Sequence, residues 1–508
     1  MFFAADRHRT WPIAFRDVLR SSPLGRRTLA SSAVDVDLAL RSRDHGILQS
    51  PTLTGRVTMN IKTRRSALAL LGGAASIALI LSGCSPSSGG GGSEGAVSQD
   101  DIDAALTTPT ELTFWTWVPD IENEVALFED KYPAIDVTVE NVGQGLPHYQ
   151  KLRSAIEAGE GAPDVAQLEY QYIPSFVLNE SLLDLANYGG DDLSDDYVGW
   201  AWDQVSPGDE VWGIPQDVGP MGNLYREDLL TQAGITEPPA TWDEYATAAQ
   251  TVKDSTGSYI SNLGATQAGQ MIGFFWQAGA KPFGYDGKET VTIDVNSDEA
   301  KEVAAYWTDL IQKDLVSTDV DFQDQWYQGL ASGKYAGWLT AAWGPVFLQG
   351  TAESTSGLWR AAPLPQWEAG DNLSGNWGGS SDAVLASSEN PIAAYELAKF
   401  INNDTESAMK LATEQFLFPP QVSVLEDPAF ADQESAFYGG QKVNQLFADI
   451  SETVDTDFQW LPFMDYVYST YEETMGTVIA DKGDLSAALD DWQEQLVTYA
   501  EDQGFTVE

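Results

Sequence analysis

The stretch Leu112-Thr113-Phe114-Trp115-Thr116-Trp117 reads as a half-buried strand stopped by Pro119. Downstream, the periodicity predicts a helix over 122–132, a second strand at Ile135-Asp136-Val137-Thr138-Val139, and a helix over 149–158 closed by Gly159. A third strand follows at Asp164-Val165-Ala166-Gln167-Leu168. Strand, helix, strand, helix, strand is the order of a parallel sheet covered by helices, so the expected fold class is α/β.

Further on, residues 212–221 are too rich in Gly and Pro for a regular element and read as a crossing between two lobes; Ala362-Pro363-Leu364-Pro365 reads as a second. Thr241-Trp242-Asp243-Glu244 is a capping box. Asn296 is expected to cap a helix whose Ala300, Val303, Ala304, Trp307, Leu310 and Ile311 share one face. Residues 334–343 look like a strand entering a loop, and Asn376-Trp377-Gly378-Gly379-Ser380 leads into a strand through Val384. Pro391 suits the first turn of a helix to Ile401, and the tail is helical on a stripe of Leu485, Leu489, Trp492 and Leu496.

Upstream of the first strand lies the single cysteine, in Leu81-Ser82-Gly83-Cys84. Lys62, Arg64 and Arg65 precede an apolar run over 67–81, which is the pattern of a secretory signal and too short to span a bilayer comfortably. Residues 59–83 are therefore expected to be a signal peptide, and 1–58 a non-native or disordered extension. Residues 84–107 are expected to be a flexible tether with a reach of ~25–30 Å. Thr63-Arg64-Arg65-Ser66 leaves Sec and twin-arginine export both open. Of 27 Lys and Arg and 76 Asp and Glu, 12 and 5 precede residue 84, leaving 15 against 71 and a net charge near −56. Such a chain repels phosphate backbones, which argues against nucleic-acid binding. With no second cysteine, stability must come from the core.

Taken in order, Leu81 to Cys84, Phe114-Trp115-Thr116-Trp117, Gly213-Ile214-Pro215-Gln216-Asp217, Pro239-Ala240-Thr241-Trp242-Asp243-Glu244, Trp377-Gly378-Gly379-Ser380 and Tyr438-Gly439-Gly440-Gln441 resemble the carbohydrate-binding extracellular solute-binding proteins, family 1, of ABC importers. The four residues ending at Cys84 resemble a lipobox, whose cysteine is lipidated and becomes the N-terminus. The resemblance implies a two-lobe, type II periplasmic-binding-protein-like fold with a multi-crossing hinge, and a sugar held between the lobes. It implies delivery to an ABC permease and its ATPase from the outer face of the cytoplasmic membrane, by a lipid-anchored monomer that needs no cofactor or metal. The lobes would interleave: 108–216 and 376–508 in the first, the C-terminal helices touching both, and 217–375 in the second.

Sugar recognition needs flat apolar surfaces for pyranose C–H faces and fixed polar groups for hydroxyls. After Cys84 the chain has 16 tryptophans. Ligands of parallel sheets sit at the carboxyl ends of the strands. There Trp117 is a candidate platform, with Trp115 on the opposite face in the core, and Glu169, Tyr170 and Gln171 are candidate polar partners. The resemblance assigns Asp217 to a sugar-binding carboxylate and Trp343, in Ala341-Ala342-Trp343-Gly344-Pro345, to a ring-covering tryptophan. Trp276, Trp377 and Trp460 complete the candidate set, which spans separate segments and so suits an oligosaccharide of two or more rings. Trp307 and Trp492, on helix stripes, read as core.

Other classes fit less well. Gly91-Gly92-Ser93-Glu94-Gly95 has the form of a nucleophile elbow but lies in a linker. His148 is the only histidine after Cys84, which leaves almost no material for a Ser-His-Asp triad or a multi-histidine zinc site. Asp319-Val320-Asp321-Phe322-Gln323-Asp324 lacks the glycine and terminal glutamate of a calcium loop and reads as a solvated acidic loop. A glycoside hydrolase using paired carboxylates, and an importer component for a non-sugar ligand, remain as alternatives. Cys84→Ala is expected to abolish incorporation of a labelled fatty acid in cells, because the chain has 1 cysteine and no other thiol can substitute.

Overall fold

The structure, a computed structural model, describes residues 96–508; the readings of Cys84, the signal peptide, the extension and the first half of the tether lie outside the described residues. The strands are β1 (Thr110–Trp115), β2 (Ile135–Glu140), β3 (Val165–Glu169), β4 (Ile214–Arg226), β5 (Phe283–Tyr285), β6 (Thr290–Ile293), β7 (Gly337–Ala341), β8 (Trp359–Pro363), β9 (Asn376–Val384) and β10 (Thr506–Val507). A seven-stranded sheet runs β2-β1-β3-β9-β4-β7, with β8 also on β4, and a three-stranded sheet runs β10-β6-β5. β1 is parallel to β2 and β3, as the alternation of strands and helices requires, whereas β9 is antiparallel to both β3 and β4.

β4 corrects one expectation. Residues 212–221 are not an irregular crossing; from Ile214 they begin a 13-residue strand. Its first half, through Pro220, pairs with β9, and its second half, from Met221, pairs with β7 and β8. The prolines are tolerated because the register shifts between Pro215 and Asp217 and again between Val218 and Pro220, so the missing N–H groups fall at ladder irregularities. Backbone groups displaced there find other partners: Val218 N–H donates to Phe418 O at 3.0 Å, Met221 N–H to Gly375 O at 2.9 Å, and Gly219 N–H to Asn376 Oδ1 at 2.9 Å.

Three smaller readings also change. Residues 99–107, read as part of the tether, form a helix started by a Ser98–Asp101 capping box and held by buried Leu106. Asn296 is not the cap of its helix: Ser297 Oγ accepts from Ala300 N–H, and Asn296 donates to Asp490 at 2.7 Å. At Thr241 the hydroxyl accepts from Glu244 N–H, but the Glu244 carboxylate takes the N–H of Ala240, one residue earlier than a capping box places it. The C-terminal helix Leu485–Gln503 buries Leu485, Leu489, Trp492 and Leu496 as expected. Lys301 pairs with Asp490 at 2.9 Å and β10 adds to β6, so the tail packs on the segment 290–312.

Close approach of β4 and β9 depends on glycine. A Cβ on Gly219 would lie 2.1 Å from the Trp377 carbonyl oxygen and 3.2 Å from Ala341 Cβ. Gly219→Ala must therefore push backbone apart and is expected to destabilise the protein by about 1–3 kcal/mol, read as a lower denaturation midpoint in urea.

Candidate functional site

A directed chain of hydrogen bonds crosses four strands at the carboxyl end of β3. Thr116 Oγ1 donates to Gln167 Oε1 at 2.7 Å, Gln167 Nε2 donates to Ser380 Oγ at 2.9 Å, and Ser380 Oγ donates to Asp217 Oδ1. Gln167 is 1% exposed, and its Oε1 also accepts the backbone N–H of Trp117 at 3.1 Å. One buried amide thus fixes both the half-buried Trp117 and the half-buried Asp217. Burial, against the Ser380 hydrogen bonds, pushes the Asp217 carboxyl up to about 6.

Beside it, Glu169 ends β3 and is half-buried. Its carboxylate accepts from Tyr149 OH at 3.0 Å and from Gln171 Nε2 at 3.2 Å. Burial pushes its acid up to about 7; these two hydrogen bonds oppose the shift, and the charges of Asp217 and Asp465 add to it. Asp465 is itself held by Arg153 at 2.5 Å, a contact between the helix Leu146–Ala158 and the helix Met464–Tyr471. Half-buried Tyr468 and buried Tyr172 stand within electrostatic reach of Glu169.

The aromatic side of the site is built on the Trp377-Gly378-Gly379-Ser380 segment of β9. Gly378 and Gly379 have φ of 90° and 99°, a region closed to most side chains. At Gly379 a Cβ would meet the Tyr170 ring at 2.7 Å. Trp343 Nε1 donates to Trp377 O at 2.8 Å, and the two indoles stand 4.9 Å apart at 77°. Phe322 lies 6.1 Å from each of them. None of the rings against Trp343 stacks parallel to it among the described residues. Both tryptophans are half-buried, so the corner they form keeps accessible aromatic surface. Because Trp377 and Ser380 sit on one strand, this corner and the polar chain ending on Asp217 are tied together.

The structure therefore brings Trp343 and Trp377 together, and Trp117, Glu169, Gln171 and Asp217 together. The other three are buried, Tyr170 beneath the site and Trp276 and Trp460 in the core. Tyr170 is fully buried, with its hydroxyl donating to Asp217 O at 3.0 Å, and acts as scaffold. Trp276 is 2% exposed, stacks on Phe458 at 4.0 Å and donates to Asp455 O at 2.9 Å. Trp460, 7% exposed, packs edge-on to Phe458 and bonds Gln204. These two tryptophans are core, because Phe458, Trp200 and Phe283 already occupy their surroundings. Trp115, 3% exposed, is core as expected. Reasoning from sequence missed Phe322, Tyr172, Tyr468 and the Arg153–Asp465 pair, whose spacing along the chain carries no motif. The acidic stretch 319–324 is a solvated loop only in part: Val320, Gln323 and Asp324 are exposed, whereas Asp321 is 5% exposed and Asp319 is bonded to Lys334 and Tyr335.

The family model for bacterial extracellular solute-binding proteins matches residues 114–407. The chain belongs to that family. It is 32% identical to the ABC-transporter-associated binding protein of B. animalis subsp. lactis solved with β-1,6-galactobiose, covering 79% of this chain and 100% of that one with a TM-score of 0.68. It is 25% identical to the galacto-N-biose/lacto-N-biose I-binding protein of Bifidobacterium longum, solved with lacto-N-biose, over 78% and 98% of the two chains with a TM-score of 0.70. An arabinooligosaccharide-binding protein of Halalkalibacterium halodurans is 25% identical over 376 residues, 72% of this chain and 82% of the relative. The fold is accordingly the two-lobe α/β fold of periplasmic sugar-binding proteins.

Because the folded-state acids of Glu169 and Asp217 lie above their ordinary values, the ligand-free folded protein binds more protons than the unfolded chain between pH ~4 and ~7. Their contribution to stability is present below about pH 4 and is lost as pH rises through 6 to 7. His148, pushed down to about 4 by burial, acts in the opposite sense between about 4 and 6.5. Glu169→Gln is expected to remove part of the decline, so that urea midpoints of the variant and the wild type converge at pH 4.5 and separate in favour of the variant at pH 7.5.

Proposed function

We propose that this protein is the extracellular, lipid-anchored solute-binding component of an ABC importer, and that it captures an oligosaccharide between its lobes for delivery to the permease. The observation that carries the reading is the Trp343–Trp377 corner joined through β9 to the Asp217 polar chain: aromatic surface and fixed hydroxyl partners on one strand. The ligands named for the similar proteins, β-1,6-galactobiose, lacto-N-biose and arabinooligosaccharides, support a saccharide of two or more rings. Family membership supports binding without catalysis.

In this reading the first lobe holds 108 to about 220 and resumes at β9, and the second lobe lies between. The dividing line falls inside β4, where its partners change. Residues 485–508 join the second lobe through β6 and the helix Asp298–Gln312. The lobes close on the ligand by rotation about the crossings, each core staying intact. No helix among the described residues is long and apolar enough to cross a membrane. In this reading the lipid on Cys84 holds the protein at the membrane. The protein acts as a monomer docking on the permease.

Trp343→Ala is expected to weaken binding of a trisaccharide about thirtyfold or more by calorimetry, the effect of losing one well-packed aromatic anchor. In the wild type, affinity should rise from the monosaccharide to the dimer and trimer. Equal affinity for all three would overturn the oligosaccharide reading. Cleavage of the trisaccharide by purified protein, lost in Glu169→Gln or Asp217→Asn, would show a hydrolase instead.

A further inference from the structure

Arg153 and Asp465 join two parts of the chain that are built on different sheets. Arg153 lies on the helix Leu146–Ala158, between β2 and β3 of the main sheet. Asp465 lies in the first turn of the helix Met464–Tyr471. The two are 312 positions apart in sequence, and Arg153 Nη1 donates to Asp465 Oδ2 at 2.5 Å.

Each partner is fixed on its own side. Arg153 Nη2 donates to Ser175 Oγ at 3.3 Å, and the guanidinium stands 5.3 Å from the centre of the Phe176 ring. Ser175 and Phe176 belong to the short helix Ile173–Leu178 that follows β3, so the cation is held by the first lobe. The helix of Asp465 is bound instead to the C-terminal helix Leu485–Gln503: Trp492 Nε1 donates to Val467 O at 3.3 Å and to Thr470 Oγ1 at 3.2 Å, and Tyr466 stacks on Tyr499 at 3.7 Å. That C-terminal helix is tied in turn to the second lobe, where Val295 N–H donates to Gln493 Oε1 at 2.9 Å.

The contact is built to open as well as to close. Its side chains are 31% and 32% exposed, so water reaches both charges and parting them strands neither in a core. Only one oxygen of Asp465 is engaged, and Oδ1 has no hydrogen-bond partner, which makes this a one-point contact and not a bidentate fork. Its place decides what it can control. One helical turn before Arg153, Tyr149 donates to the Glu169 carboxylate at 3.0 Å, and the Tyr149 ring lies 3.9 Å from that of Tyr172, whose carbonyl accepts from Ser175 Oγ at 2.8 Å.

We infer that Arg153 and Asp465 form an interlobe clasp that closes the Glu169 end of the site over the bound saccharide and sets how long it stays. The inference rests on the reading of two lobes closing on a sugar. A neutral ligand makes the clasp separable from binding itself, because salt then screens the ion pair and leaves the ligand's own contacts nearly untouched.

Stopped-flow tryptophan fluorescence on wild type, Arg153→Gln, Asp465→Asn and the double variant, with the best-binding neutral saccharide of a panel, gives the two rates. Each single variant is expected to release ligand about three- to fivefold faster, and the double variant no faster than either. Association should be unchanged, because the ligand enters with the lobes apart. Release from wild type should quicken between about 0.05 and about 0.5 M salt, and release from the variants should not. Thermal unfolding of the ligand-free variants shows whether they are folded. Wild-type release rates in folded variants, or a salt dependence kept by the double variant, would overturn the clasp and leave the saccharide reading intact. Faster release from Asp465→Asn alone, with Arg153→Gln like wild type, would mean that Asp465 acts on Glu169 and not through Arg153, and would overturn it too. Failure of the wild type to bind any saccharide of the panel would remove that reading and the clasp with it.

Discussion

Thirteen consecutive residues of β4 serve three ladders, and the position at which β9 hands over to β7 and β8 fixes the rest of the architecture. A strand that pairs with β9 through Pro220 and with β7 and β8 from Met221 cannot slip by one residue without reversing its faces in all of them. Asp217 and the Trp343 corner inherit their positions from that constraint. Asp217 is set by its register with Ser380, and Trp343 follows β7, whose Ala341 pairs with Met221. The bulges absorb Pro215 and Pro220 and let Gly219 bring β9 to van der Waals distance.

The polar side of the site owes its rigidity to donors with nowhere else to go. Gln167 spends its amide oxygen on Thr116 and Trp117 and its amide nitrogen on Ser380, so the direction of each bond is forced. Ser380, having accepted, can only donate onward to Asp217. Glu169 is held in the same manner by Tyr149 and Gln171. Side chains fixed in this way meet a ligand with little further loss of freedom.

Much of this was legible in the sequence, for reasons that differ by element. Strands β1 to β3 and their helices announce themselves by periodicity. Trp343 stands in a turn before Gly344 and Pro345, and Trp377 precedes two glycines in β9, so each has little to pack against locally. The position of β4 was legible and its conformation was not, because propensity counts Pro and Gly against a strand and cannot see Phe418, Gly375 and Asn376 waiting to take the displaced N–H groups. Trp276 and Trp460 look like Trp343 in composition; only the arrival of Phe458 at the first and of Gln204 at the second makes them core. Asp321 was masked by its acidic neighbours, which suggested solvent, while its burial depends on Gly264 and Gln267, more than fifty residues earlier.

The central place of β9 also governs how the chain folds. β9 lies between β3 and β4, yet more than 200 residues separate Val165 from its partner Val384. The main sheet therefore has a gap in its middle until three quarters of the polypeptide has emerged, and closing a loop of that length is entropically slow. A nascent chain lacking β9 exposes the inner edges of β3 and β4 and cannot lock into its final form. Such a polypeptide stays open for most of its synthesis, the condition under which a passage that admits only unfolded chains can still take it.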